Sequence, residues 1–191
     1  MHEFIWSDFY QITKGRPPWP LLVTAVDLLG HTGVALDMGC GAGRDTRYLL
    51  ARGFTVTAVD REAASLASLA DLPTDHLSLA QAAFEDFVFE RYDLVNAHFA
   101  LPFTHKNQFA RVFARLKASL NAGGIFVGQF FGVNDTWNTP ENVMTFFTRD
   151  QAREQLAGLE ILEFAEEDQD GATADGTQKH WHVYHIIARR P

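Results

Sequence analysis

The sequence predicts an α/β fold: a mostly parallel sheet with helices on both faces, closed by a C-terminal antiparallel β-hairpin. Three observations carry this expectation. Apolar runs of strand length alternate with helix-periodic segments between residues 20 and 158. The first strand ends in a glycine-rich turn, "GCGAG", that opens a helix. The last two strand-like runs are joined by a Gly- and Asp-rich loop, and a parallel pair would need a helical crossover there.

The elements follow in order. Pro20 suits the first position of a helix, where its missing N–H costs nothing. "PLLVTAVDLLG" repeats apolar residues at helical spacing (Leu21, Leu22, Ala25, Leu28, Leu29) before Gly30 stops it. "VALDM" is a short buried strand, "RDTRYLLARG" a helix closed by Gly53, and "FTVTAVD" a β-branched strand ending on Asp60. "EAASLASLA" reads as a helix, and "HLSLAQAAF" and "YDLVNAHF" read as strands. "NQFARVFARLKASLNAGG" sets Phe109, Val112, Phe113, Leu116 and Leu120 on one helical stripe, with Gly123 and Gly124 leading into the strand "IFVGQFF". Thr148 and Gln151 have capping-box spacing, each side chain placed to bond the other's backbone N–H at the start of "RDQAREQLAG". "LEILEFAEED" and "HWHVYHIIARR" are the closing strands, joined by "QDGATADGTQ".

Residues 1–19 are rich in aromatics (Phe4, Trp6, Phe9, Tyr10, Trp19) and read as a lead-in or lid to a core spanning 20–191. Without a linker or repeat, 1–191 is expected to be a single domain. At 191 residues and 47% hydrophobic, the chain can bury a substantial core. A net charge of -8 opposes the phosphate tracking that a long nucleic acid requires. Cys40 is the one cysteine, so no intramolecular disulfide forms. No charged leader and no bilayer-length apolar run is present. The expectation is a cytoplasmic monomer or homodimer that uses no membrane and no metal, and whose partner is a small molecule.

In such sheets the ligand sits beyond the carboxyl ends of the strands, where chain order reverses, normally after the first strand. Glycines 39, 41 and 43 allow a tight turn there and let a ligand approach the backbone. A dinucleotide enzyme would use G-x-G-x-x-G and seat a pyrophosphate on the helix terminus, whereas this spacing is one residue shorter. Asp37, two residues before the first glycine, would repel a pyrophosphate and attract an ammonium group. Asp60 ends the second strand, at about the 20-residue interval from which an acid reaches ribose hydroxyls. An amine near Asp37 and a ribose near Asp60 describe S-adenosylmethionine.

The stretch "ALDMGCGAGRDTRYLLARGFTVTAVD" resembles the first motif and ribose-binding acid of class I S-adenosylmethionine-dependent methyltransferases. More narrowly, "CGAGRDTRYLL" and the closing "KHWHVYHIIARR" resemble the small tellurite-resistance and thiopurine type. The resemblance implies a Rossmann-like seven-stranded sheet and transfer of a methyl group from S-adenosylmethionine to a small-molecule acceptor, releasing S-adenosylhomocysteine. It implies that Asp37 holds the methionine amino group, that Gly39 and Gly41 line the methionine, with Cys40 and Gly43 completing the turn, and that Asp60 binds the ribose with Arg61 beside it. Asn96 and Ala97, ending the fourth strand, are placed near the methionine and the transferred methyl. Ala83 stands where many relatives carry an adenine-reading Asp or Asn. Phe84 packing, backbone contacts, or a register shift to Glu85 or Asp86 are the alternatives for adenine. The departure at Ala83 also motivates a rival reading, a non-catalytic sensor that binds the same cofactor.

His98 and His105 flank the loop after the fourth strand, where each imidazole would serve either as a base for the acceptor or as packing. Arg16 could pair with the methionine carboxylate and Tyr10 could shield the sulfonium, against solvated and core roles for the same residues. "NAHF" at 96–99 lacks the two prolines of the Asn-Pro-Pro-Tyr signature, which leaves Phe99 as core. Strand alternation puts His185 on the face opposite His180 and His182, so the three are read as structural. Phe103, Phe130, Phe131 and Trp137 follow the fourth and fifth strands and suggest an apolar or aromatic acceptor, with chalcogen oxyanions or thiols implied by the narrower resemblance.

Overall fold

A computed structural model describes Ile12, Thr13 and residues 15–191. The elements are α1 (Pro20–Leu29), β1 (Val34–Met38), α2 (Arg44–Ala51), β2 (Thr55–Asp60), α3 (Ala63–Ala67), β3 (Leu77–Gln81) and β4 (Tyr92–Ala97). A 3-10 turn (Leu101–Phe103), α4 (Phe109–Ser119), β5 (Leu120–Gly132), β6 (Phe146–Phe147), α5 (Arg149–Gln155), β7 (Glu160–Ala172) and β8 (Gln178–Arg189) complete it. The sheet order is β3-β2-β1-β4-β5-β8-β7, with the two-residue β6 added beside β5. β3 through β5 are parallel, and β8 runs antiparallel to both β5 and β7. The expected seven strands and closing hairpin are thus present, and β6 is an eighth strand that two residues were too short to announce.

Strand alternation sorts the core onto two faces. Phe126 and Phe130 of β5 join Phe109, Val112, Phe113 and Leu116 of α4 on one side. Ile125 and Val127 of the same strand join Leu22, Ala25 and Val26 of α1 and Leu49 of α2 on the other. Covering both faces is what permits the near-continuous apolar runs of β1 and β4. The chain order reverses between β1 and β4, whose paired ends put Asp37 opposite Asn96. That is the switch point at which such sheets open a ligand cleft.

Several boundaries differ from the sequence expectation. Leu28 is exposed and Val26 takes its place in the buried stripe of α1, because the helix leans on β5 through its Leu22, Ala25 and Val26 side. The helix read from "EAASLASLA" is only five residues, Ala63–Ala67, and β3 stops at Gln81. "NAGG" belongs to β5, which begins at Leu120, rather than to a turn. Half of "QDGATADGTQ" is strand, which leaves a five-residue turn: Thr173 N–H donates to the Thr177 carbonyl at 2.8 Å, Thr177 N–H donates to Asp175 at 3.0 Å, and Gly176 takes φ +88°. Side chains of the turn thus do the work that lets the strands extend. The capping box of Thr148 and Gln151 is present in both directions.

Candidate functional site

Gly39, Gly41 and Gly43 adopt φ of +71°, +51° and +77°, a left-handed run that only glycine enters cheaply. A Cβ on Gly43 would lie 1.9 Å from a methyl carbon of Leu69, so the last glycine also lets α2 pack close. The turn is tied down by Asp60, whose two carboxylate oxygens accept the N–H groups of Gly41 and Glu62, each at 3.0 Å. Ser65 adds a donor to the Gly41 carbonyl at 2.8 Å.

Beside this turn is a buried acidic network. Asn96 donates its amide to Asp37 at 2.8 Å and to Asp45 at 3.1 Å, and Thr46 donates to the second Asp37 oxygen at 2.5 Å. The Trp19 N–H donates to Asp45 at 3.2 Å. Burial, followed by the neighbouring Asp45 charge, pushes Asp37 up to about 7, and burial likewise raises Asp45. Two buried carboxylates held apart by one amide form a site that a cation would stabilise.

The network also fixes a tautomer. Because the Asn96 amide nitrogen serves two carboxylates, its oxygen is the acceptor for His98 Nδ1–H at 2.5 Å. His98 Nε2 therefore carries a lone pair, and that atom is buried without a partner among the described residues. Burial lowers His98 to about 3, so the ring is neutral at physiological pH and suits accepting a hydrogen bond. Its ring stacks on Trp19 at 5.7 Å and 7°, and the Arg44 guanidinium covers Trp19 at 4.1 Å.

These residues face a cavity of about 540 Å³. Arg16, Asp37, Gly39, Cys40, Gly41, Asp60, Arg61, Ala83, Phe84, Asn96 and His98 all line it. Gly43 and Ala97 do not: Gly43 starts α2 behind the turn, and Ala97 is fully buried in the sheet opposite Gly128. His105 also lies outside, where its Nδ1 accepts the Asn107 N–H in a local turn. Tyr10, with Phe4, Trp6 and Phe9, lies outside the described residues.

The far end of the cavity is aromatic. Phe103, Phe131, Trp137 and Trp181 line it, and Trp137 meets Trp181 edge-on at 5.5 Å. Phe130 points to the opposite face of β5, into the α4 core, so it leaves the expected aromatic set. Phe99, read as core, instead lines the cavity at φ +48°, the one non-glycine positive φ among the described residues. Its N–H is held by the Gln129 side chain at 2.9 Å, which fixes this disfavoured backbone. His185 lines the cavity and bonds Glu167, on the face of β8 opposite His180 and His182 as strand alternation predicts, and those two also pair with acids. Asp45 and Trp19 were missed as partners of the site; an acid in the first turn of a helix after a glycine loop was the available signal.

Comparisons with known proteins agree with this geometry. Residues 2–179 match the family described as Tellurite resistance protein TehB. Hemagglutinin 1 of Eikenella corrodens is 28% identical over 137 residues, covering 69% of this chain and 45% of that protein. TehB of Haemophilus influenzae, described as a probable S-adenosyl-L-methionine-dependent methyltransferase, is 25% identical over 135 residues, covering 69% of this chain and 47% of the relative. The crystal structure of TehB from that species superposes with a TM-score of 0.74 at 22% identity, covering 88% of this chain and 62% of the other. The Burkholderia thailandensis 1,6-didemethyltoxoflavin-N1-methyltransferase, solved with 1,6-didemethyltoxoflavin and S-adenosylhomocysteine, gives 0.69 at 25% identity, covering 89% of this chain and 77% of the other. The chain spans about half the length of the curated relatives it matches.

Proposed function

The chain belongs to the TehB family of tellurite resistance proteins, class I methyltransferases whose cofactor is S-adenosylmethionine and whose product is S-adenosylhomocysteine, and on that premise we propose that it methylates a small-molecule acceptor. The observation that carries this reading is the buried Asp37, Asp45 and Asn96 network beside a glycine turn anchored by Asp60, all on one cavity. The residues fit the cofactor. An unneutralised acid pair suits the methionine ammonium, and the Asp60 oxygens retain lone pairs for ribose hydroxyls after serving two backbone N–H groups. Ala82, Ala83 and Phe84 offer apolar surface and backbone to the adenine where an acid is missing. Arg16 lines the same cavity and is the cation proposed to pair with the methionine carboxylate.

When bound, the sulfonium supplies an electrophilic methyl group. The protein's own part is to orient it, to exclude water with Trp19, Phe99 and His98, and to hold the acceptor in line. No helix among the described residues is long and apolar enough to cross a membrane; a cytoplasmic setting and a single methyltransferase domain over 1–191, with 20–191 as its core, are part of the proposal. Incubation with methyl-labelled S-adenosylmethionine and a panel of oxyanions, thiols and nitrogen heterocycles tests the reading. Labelled product with any acceptor supports it; cofactor binding without product from any of them favours the sensor.

The acid network makes a pH prediction. Folding raises Asp37 from the usual 3.8 to about 7, so between those values the folded chain binds more protons than the unfolded one. Its contribution to stability therefore falls as pH rises through that window. A cation seated beside the pair favours the ionised form and expels a proton. Calorimetric titration of S-adenosylhomocysteine near pH 6 in two buffers of different ionisation enthalpy should show net proton release, and identical heats would contradict it.

A further inference from the structure

We propose that two polar atoms of the cavity wall, His98 Nε2 and the Thr104 hydroxyl, read the methyl acceptor, and that they demand a hydrogen-bond donor on it, an O–H or N–H apart from the atom that is methylated. The proposal rests on the methyltransferase reading and names the group by which the same site recognises its acceptor.

The pair stands out by its missing bonds. Of the buried side-chain atoms that have no partner among the described residues, only His98 Nε2 and Thr104 Oγ1 belong to residues that line the cavity. A polar atom shut off from water and left unpaired costs free energy, which a ligand recovers by supplying the bond.

Both side chains are fixed by their other contacts. The His98 ring follows β4, donates from Nδ1 to Asn96 at 2.5 Å and stacks on Trp19. Thr104 caps the 3-10 turn: its N–H donates to the Leu101 carbonyl at 2.9 Å, and its carbonyl accepts the Thr145 hydroxyl at 3.2 Å. Its own hydroxyl is left over and rotates to accept or to donate.

The polarity required at His98 follows from the ring. Its two nitrogens lie on nearly opposite edges, so Nε2 is turned away from Asn96 and from the acids that Asn96 joins. The donor it lacks is therefore not the ammonium proposed beside Asp37. Burial, followed by the charges of His185 and Arg44, holds His98 far below its ordinary value. The ring accepts a hydrogen bond without taking the proton, so the donor stays protonated and is distinct from the nucleophilic atom.

Charge is not the selective feature. Glu167 and Arg44 both line the cavity. Lys179 backs the aromatic wall, with its ammonium bound to Asp135 at 2.5 Å and lying 3.6 Å from the Trp137 ring centroid and 3.8 Å from that of Trp181. With both signs present, a hydroxyl-bearing oxyanion is admitted as readily as a neutral hydroxyl or N–H compound. The rejected ligand is the analogue whose donor is replaced by methyl, because it leaves the buried acceptor unpaired.

Two matched pairs of ligands test this: methylphosphonate against dimethylphosphinate, both singly charged near pH 6, and phenol against anisole. Titrated into protein saturated with S-adenosylhomocysteine, at least one hydroxyl-bearing member should bind, about tenfold or more tightly than its methyl-capped partner. In His98→Phe that ratio should fall toward one, whereas a His98 that only packs on Trp19 would weaken both members alike and keep the ratio. Thr104→Val, close in volume and lacking the hydroxyl, should narrow the ratio as well and carries the test if His98→Phe does not fold. A ratio near one in the unmodified protein, a ratio that survives in either folded variant, or no binding of any of the four would overturn the proposal. Failure to bind S-adenosylhomocysteine at all would instead sink the cofactor reading beneath it.

Discussion

Asp60→Ala is expected to weaken S-adenosylhomocysteine binding by about 1.5–3 kcal/mol for each charged hydrogen bond lost, roughly tenfold or more than a hundredfold in Kd. The carboxylate has two tasks in this account. It holds the glycine turn through Gly41 and Glu62, and it presents its remaining lone pairs to the ribose. Loss of the first loosens the cradle and loss of the second removes direct contacts, so both act in the same direction. Calorimetric titration of the variant measures the sum. Unchanged affinity would mean the ribose lies elsewhere.

Lys179→Met is expected to destabilise the fold by about 3–5 kcal/mol, the cost of leaving a buried charge without its partner. Asp135 is fully enclosed and also accepts the N–H groups of Trp137 and His182 at 2.9 and 3.3 Å, so it cannot turn toward water when the ammonium is removed. Burial lowers Lys179 from its ordinary value while Asp135 resists the change, the mark of a cation retained by its partner. For a chain of this length the loss corresponds to a Tm decrease of roughly 6–20 °C. The double variant Lys179→Met with Asp135→Asn should recover much of it, because the unpaired charge is gone. A single variant as stable as the parent would show that the pair does not hold the aromatic wall.

The glycine-turn half of the cavity was legible because its signals are local. Asp37, the alternating glycines and Asp60 lie within 24 consecutive residues, and each reports a backbone need or a charge preference that does not depend on distant packing. The aromatic half depends on non-local pairing. Alternation correctly separated His185 from His180 and His182, yet which face of β8 meets the cavity is decided by its antiparallel pairing with β5. The same rule applied to adjacent Phe130 and Phe131 would have sent one to the core and one to the cavity. Phe99 was misplaced for another reason: its left-handed backbone depends on Gln129, thirty residues away, and no periodicity signals it. Leu28 shows that a helical stripe gives the width of an apolar face better than its centre.

One ligand is proposed to occupy one place, beside Asp37, the glycine turn and Asp60. Isothermal titration of S-adenosylhomocysteine into the unmodified chain tests this most directly. It predicts saturable binding at one site per chain with release of a proton near pH 6, and no comparable binding of nicotinamide dinucleotides. A flat titration at a large excess of S-adenosylhomocysteine would contradict it.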